Sequence, residues 1–213
     1  MASILQWLKP SQRETSSGTD ITKVDIVPPG FKKGEKLAFY LDNVFTKEEY
    51  DEWIQLAEDK GFQVAKINSG TSEYLVSNYR KGHRCIIDSF EMRDKVWEKI
   101  AMFIPTNFKT HDVVGLNERF RFLRYDKGDF FKPHFDGSYV RENGKEETFI
   151  TIQIYLNEGF SGGSTTFLSN DKRVECVPKI GRVLVFEHHL LHEGSELFSG
   201  RKYAIRSDIL YKL

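Results

Sequence analysis

The sequence predicts a mainly β fold. Its form would be a double-sheet jelly roll, or double-stranded β-helix barrel, with bracing helices that give an α+β periphery. Three observations predict it. In the run Thr148 to Asn157, Ile150, Ile152, Ile154 and Leu156 alternate with Phe149, Thr151, Gln153 and Tyr155. A period of two places these sets on opposite faces of a strand, and a half-polar face opposite an aliphatic one predicts that the polar side lines a cavity. Short apolar segments follow at Val183 to Phe186 and Tyr203 to Tyr211, set apart by glycine-containing turns, a spacing that suits a jelly roll. Finally, seventeen Phe in 213 residues suit strands with large inward side chains.

The length fits one domain, expected over residues 35–213, with a flexible tail over residues 1–34. Lys9 to Gly34 is rich in Ser, Thr, Lys, Pro and Gly, with only a short apolar run from Ile21 to Val27. Before it, Ser3-Ile4-Leu5-Gln6-Trp7-Leu8 is a small apolar island. It faintly resembles the sliding-clamp-binding box of replication and repair proteins, although Met1 stands where that box has Gln. The plain alternative is a terminal segment that docks on its own domain or frays.

Leu37 to Phe45 reads as a strand. Thr46-Lys47-Glu48-Glu49 is a capping box, and Tyr50, Trp53, Ile54 and Ala57 stripe one face of the helix it opens. Gly61 suits the end of that helix. Phe62 to Ile67 can form a strand, Asn68 to Arg80 a polar loop, and His83 to Ile87 a short strand. Asp88 with Glu91 reads as a second capping box, ahead of a helix striped by Met92, Val96, Trp97, Ile100 and Phe103 and followed by Pro105. From Glu118 the pattern turns to strands.

Formal charge balances to zero, so no global field favours nucleic acid or an anionic membrane. The N-terminal apolar run is too short for a signal peptide or a membrane span. Two cysteines, Cys85 and Cys176, read as buried free thiols in a reducing compartment, either cytoplasm or nucleus.

The chemistry centres on Arg119 to Asp136, which ends in His134-Phe135-Asp136. On an extended strand, residues i and i+2 leave the same face, so this imidazole and carboxylate can grip one metal ion. His192 in His-Glu-Gly can supply a third ligand. Two His and one carboxylate with open positions form the facial triad of non-haem Fe(II) oxygenases. A zinc site using His188 competes with this reading, but zinc prefers a tetrahedral set, often with Cys, and Cys176 has no second Cys near it. His188 and His189 then fall behind the ligands or at the entrance.

Six blocks in order carry a family resemblance: Tyr125 to Asp136 (Y-x-x-G-x-F-F-x-P-H-x-D), Tyr155-Leu156-Asn157, Gly162 to Phe167, Gly181 to Phe186, His192-Glu193-Gly194, and Arg201 to Arg206. Together they resemble a 2-oxoglutarate/Fe(II)-dependent dioxygenase of the prolyl-4-hydroxylase-like group. The resemblance runs from about Leu37 to the C-terminus. It implies Fe(II) held by His134, Asp136 and His192, the cosubstrates 2-oxoglutarate and O2, ascorbate as reductant, and hydroxylation of a substrate C–H with release of succinate and CO2. It also places Lys202 where the group carries the cation for the far (C5) carboxylate of 2-oxoglutarate. Arg206 would leave the same face as Lys202, and a one-residue register slip would favour Arg201. Tyr155 resembles a tyrosine that bonds the same carboxylate, and Tyr125 one near the iron-binding end. Both could instead be core aromatics with satisfied hydroxyls.

The substrate is the least legible part. Arg80, Lys81, His83 and Arg84 form a basic run, while Arg119, Arg121 and Arg124 alternate in part with Phe120 and Phe122. Such mixtures bind single-stranded nucleic acid, line a groove for an acidic peptide, or are plain solvated faces. Arg119 and Arg121 share a side with Leu123 and Tyr125, which predicts that some of these arginines are buried and paired. Three readings follow: an oxygenase acting on a protein side chain such as prolyl, an oxygenase acting on a small molecule or alkylated base, and a non-catalytic jelly-roll binding module.

Overall fold

The structure is a computed structural model, and it describes residues 20–68, 73, 74, 76 and 78–213. The apolar island at Ile4 to Leu8 lies outside the described residues. In chain order the first strands are β1 (Thr22–Asp25), β2 (Ala38–Asp42), β3 (Gln63–Val64), β4 (Ile67–Asn68), β5 (Glu73–Tyr74), β6 (Arg80–Lys81), β7 (His83–Asp88), β8 (Asn107–Phe108) and β9 (His111–Leu116). Then come β10 (Arg119–Asp126), β11 (Phe130–His134), β12 (Glu146–Tyr155), β13 (Ser161–Gly162), β14 (Thr165–Ser169), β15 (Lys172–Cys176), β16 (Val183–Glu187), β17 (His192–Gly194), β18 (Leu197–Ser199) and β19 (Arg201–Lys212). Two helices, α1 (Lys47–Lys60) and α2 (Phe90–Ile100), precede the strand-rich part.

The major sheet runs β1-β2-β16-β12-β19-β10-β7-β3, with β8 and β9 joined at β19. The minor sheet runs β15-β14-β17-β11-β6. Two stacked sheets of mostly antiparallel strands match the expected double-sheet architecture. One face of the major sheet packs on the helices. Ile150, Ile152, Ile154 and Ile205 share a core there with Tyr50, Trp53, Ala57, Met92, Val96 and Ile100. The other face turns to the minor sheet, where Tyr155, Phe167, Leu184, Phe186 and Ala204 form a smaller core beside a cavity.

The β12 alternation holds with one exception. Phe149, expected on the cavity face, packs against the helix-side core, because the β12–β19 register shifts between Thr148 and Ile150 and the bulge turns that side chain over. The first helix has both halves of the expected capping box, with Gly61 closing it. The second helix is capped by Ser89, whose hydroxyl accepts from the Met92 amide, rather than by Asp88. Asp88 instead makes a two-bonded ion pair with Arg119.

The expected boundary at residue 34 falls inside paired structure. β1 lies antiparallel to β2, the Ile26 amide continues the ladder to the Ala38 carbonyl, and Pro28 and Pro29 are buried. The edge of β2 offers unpaired backbone groups, and pairing satisfies them whatever the local composition. The stretch expected as a polar loop likewise contains the β4–β5 pair and β6.

Candidate active site

A cavity of about 880 Å³ opens between the two sheets and holds every expected site residue except Tyr155, which is buried at its wall, and Arg201.

At one end stand His134, Asp136 and His192, whose ligand atoms all lie within 4.8 Å of one another. His134 closes β11, and His192 opens β17 directly opposite it in the antiparallel register. Each imidazole turns its Nδ1 to a backbone carbonyl, His134 to Lys132 O at 2.8 Å and His192 to Leu190 O at 2.9 Å. A carbonyl only accepts, so Nδ1 carries the hydrogen and Nε2 keeps its lone pair. Both Nε2 atoms sit 3.8 Å from an Asp136 carboxylate oxygen. Phe131 stacks on His134 at 3.6 Å between centroids, and Phe186 meets the edge of His192 at 4.7 Å. Burial pushes the His134 pKa down to about 3 and lowers that of His192, so both rings are neutral donors at ordinary pH. For Asp136, burial raises the pKa, but the charge of Arg206, foremost, outweighs it and keeps the group ionised. Two neutral nitrogen donors and one carboxylate on one side of an open cavity fit an Fe(II) ion.

Asp136 is held from both sides. Thr151 donates to Oδ2 at 2.6 Å, and Arg206 lies 3.2 Å from Oδ1. Arg206 also pairs with Asp208 at 3.0 Å, and Asp208 takes a further bond from Arg121 at 2.9 Å. His188 is buried with its Nε2 3.4 Å from Asp208, outside the ligand trio, and His189 is exposed. Neither supports a zinc site. Sequence alone does not assign Thr151, Asp208 or Arg121 to the site: their strand faces are legible, but Thr151 meets Asp136 from 15 residues away and Arg121 meets Asp208 from 87.

At the other end is Lys202, only 3 % exposed. Its Nζ donates to the Gly163 carbonyl and sits 5.3 Å above the rings of both Tyr125 and Tyr155. No described carboxylate pairs with it. Burial alone drives its pKa down to about 8. A buried ammonium without an acid is costly, and a ligand carboxylate is the group that would repay it. The expected alternatives differ. Arg206 faces the cavity but is engaged by Asp136 and Asp208. Arg201 leaves the opposite face of β19, is half exposed and pairs with Asp126. Tyr125 pairs in register with Lys202, so its ring lies beside the lysine, while its hydroxyl meets Arg80. Tyr155 donates to Thr165 Oγ1 at 2.8 Å, and burial keeps its hydroxyl protonated. Gly163 adopts φ +70°, and a Cβ there would meet the Lys202 side chain at 3.2 Å, so glycine is what lets the lysine pass.

The family model described as the 2OG-Fe(II) oxygenase superfamily matches residues 120–207, the segment that carries the metal trio and Lys202. A curated relative named probable prolyl 4-hydroxylase 11, from Arabidopsis thaliana, is 27 % identical over 172 residues, covering 75 % of this chain and 56 % of the relative. The chain spans about half the length of the curated relatives it matches. A viral collagen prolyl hydroxylase from Paramecium Bursaria Chlorella virus-1, solved with 2OG, superposes with a TM-score of 0.59 at 25 % identity, covering 83 % of this chain and 97 % of that one. A Trichoplax adhaerens prolyl hydroxylase, solved with a hypoxia inducible factor peptide fragment, shares the fold with a TM-score of 0.63 at 19 % identity over 84 % of each chain. Over residues 120–207 the chain is thus similar to the 2OG-Fe(II) oxygenase superfamily, and the relatives and solved structures it resembles include prolyl hydroxylases.

Proposed function

We propose that this chain is an Fe(II)- and 2-oxoglutarate-dependent dioxygenase that hydroxylates a prolyl side chain in a peptide, releasing succinate and CO2. The observation that carries the reading is one cavity with a His134/Asp136/His192 trio at one end and an acid-free buried Lys202 at the other. Iron, when bound by that trio, supplies the oxidising power to break an unactivated C–H bond. The chain's own residues prepare the site. Thr151 and Arg206 fix the Asp136 carboxylate, and Phe131 and Phe186 hold the two imidazoles. Lys202, with Tyr155 beside it, offers the charge that would bind the C5 carboxylate of 2-oxoglutarate. A peptide substrate is supported by relatives that are named prolyl hydroxylases, one of which was solved with a peptide. We assign ascorbate the role of keeping iron reduced. Placement in the cytoplasm or nucleus is supported by Cys85 and Cys176 being buried free thiols.

The test has two stages. Succinate formation from 2-oxoglutarate with Fe(II) and ascorbate, without substrate, is the expected basal activity. Its absence, with iron bound, would favour a non-catalytic module. Peptide pools and methylated oligonucleotides are then compared for a gain of one oxygen atom in mass. Oxidation of prolyl peptides is expected, and oxidation of the oligonucleotides or of small molecules alone would overturn the peptide assignment.

A further inference from the structure

Beyond the two ends just described, one wall of the cavity is lined by Lys66, Arg80, Arg84, Arg119 and Arg121. The chain as a whole is neutral, so this is charge segregated into one place. Sheet register shows how. Arg121 on β10 stands directly opposite Arg206 on β19, and Arg84 on β7 stands opposite Leu123, the next inward residue of β10. Like charges paired across strands cost stability. The internal acids answer only part of it: Asp136 and Asp208 hold Arg206 and Arg121, and Asp88 holds Arg119. Facing them on the minor sheet, the only acid among the described residues that lines the rim is Glu193, which is held by Arg173 and Ser195. Arg80 has no ion pair to a described carboxylate. Its guanidinium lies 4.5 Å over Phe131, the ring that stacks on His134, so a positive charge stands one aromatic ring away from a metal ligand.

We infer that the peptide taken by this site is acidic, with an Asp or Glu side chain beside the reacting residue that docks on Arg80 in this wall. The inference rests on the peptide reading above. Guanidinium groups match carboxylates with two parallel bonds, and a water-excluded rim strengthens each of them. A stacked nucleic acid is the less suited polyanion. The aromatics that alternate with these arginines, Phe120 and Phe122, are buried in the helix-side core and offer no stacking face.

Two labelled short peptides with a central Pro, flanked by Glu in one and by Gln in the other, are titrated into the protein loaded with Fe(II) and 2-oxoglutarate under nitrogen. Each charge-assisted bond is worth on the order of tenfold in affinity. The Glu peptide is therefore expected to bind at least about tenfold tighter, with the gap shrinking as salt is added. Arg80→Gln is expected to narrow the gap, and Arg80→Lys to restore part of it. Equal binding of the two peptides, or displacement of the Glu peptide by a tighter-binding single-stranded DNA, overturns the inference. Admitting air separates it from the reading on which it rests. Selective binding of the Glu peptide with no oxygen gained at Pro keeps the acidic preference and removes prolyl hydroxylation. Equal binding and equal oxidation of both peptides does the reverse.

Discussion

The two ends of the cavity are built on different principles. The metal end sits on short strands of the minor sheet, and two of its three donors, His134 and Asp136, lie two residues apart in the chain. The lysine end sits on β12 and β19, the longest strands of the major sheet. Its parts, Lys202, Tyr155 and Tyr125, meet only through the order β12-β19-β10. The metal end satisfies its charges internally, with Asp136 answered by Arg206. The cation end leaves Lys202 without an acid among the described residues. One end is therefore complete as a ligand set, and the other is complete only with a bound anion.

The largest effects are expected where a donor is removed. His134→Ala or His192→Ala should abolish iron binding and turnover together, as read by metal content and succinate formation. His188→Ala should cost much less, since its imidazole pairs with Asp208 and its one direct bond to Asp136, through the backbone carbonyl, survives the change. An inactive His188→Ala beside an active His192→Ala would mean that the trio is misassigned.

At the other end, Lys202→Ala should leave iron content intact while 2-oxoglutarate affinity falls by about two to three orders of magnitude. Stranding a buried charge costs about 3–5 kcal/mol, and each tenfold is about 1.4 kcal/mol. If Arg206→Ala lost cosubstrate affinity and Lys202→Ala did not, the division of labour drawn here would be reversed.

The same lysine gives the comparison a pH signature. Binding a carboxylate requires the ammonium form, and burial holds the Lys202 pKa at about 8. Affinity for 2-oxoglutarate is expected to decline as pH rises above 8, by up to about tenfold per unit. Stability of the ligand-free protein should move the other way. Between pH 8 and 10.5 the unfolded lysine keeps a proton that the folded one has lost, so this group makes stability rise with pH across that window. Titration calorimetry and chemical denaturation read the two trends separately, and Lys202→Met should remove both.

Smaller still is Tyr155→Phe. Its hydroxyl already bonds Thr165, so roughly tenfold or less in 2-oxoglutarate affinity is expected, with iron binding unchanged. Smallest for the site is Thr46→Ala in the first helix. It should cost about 1 kcal/mol of stability, lowering the melting temperature by about 2–4 °C, and leave both ends of the cavity as they were. A change in metal or cosubstrate affinity from that cap would show that the helix layer does more than brace the sheet.

Much of the fold was legible because its signals are local. The capping box at Thr46 to Glu49 and the period-two faces of β12 depend on neighbours within a few residues, and the structure carries both. Local signals failed where backbone pairing overrode composition. Residues 22–25 look like tail but close the edge of β2. Phe149 breaks its pattern at a bulge that no side chain announces. Asp88 could cap a helix but is taken by Arg119, 31 residues away.

By itself, the sequence determined the donor types, the i, i+2 spacing of His134 and Asp136, and the polar inner face of β12, since these follow from the geometry of an extended chain. Only the tertiary structure decided which cation is free. Lys202 and Arg206 leave the same face of one strand and are equivalent at the level of sequence. They differ because β11 brings Asp136 to Arg206, while β10 and β12 set two tyrosine rings, and no acid, beside Lys202. Register between strands far apart in the chain made that choice, and an electrostatic partner acts over a few ångströms of space, whatever the distance along the sequence.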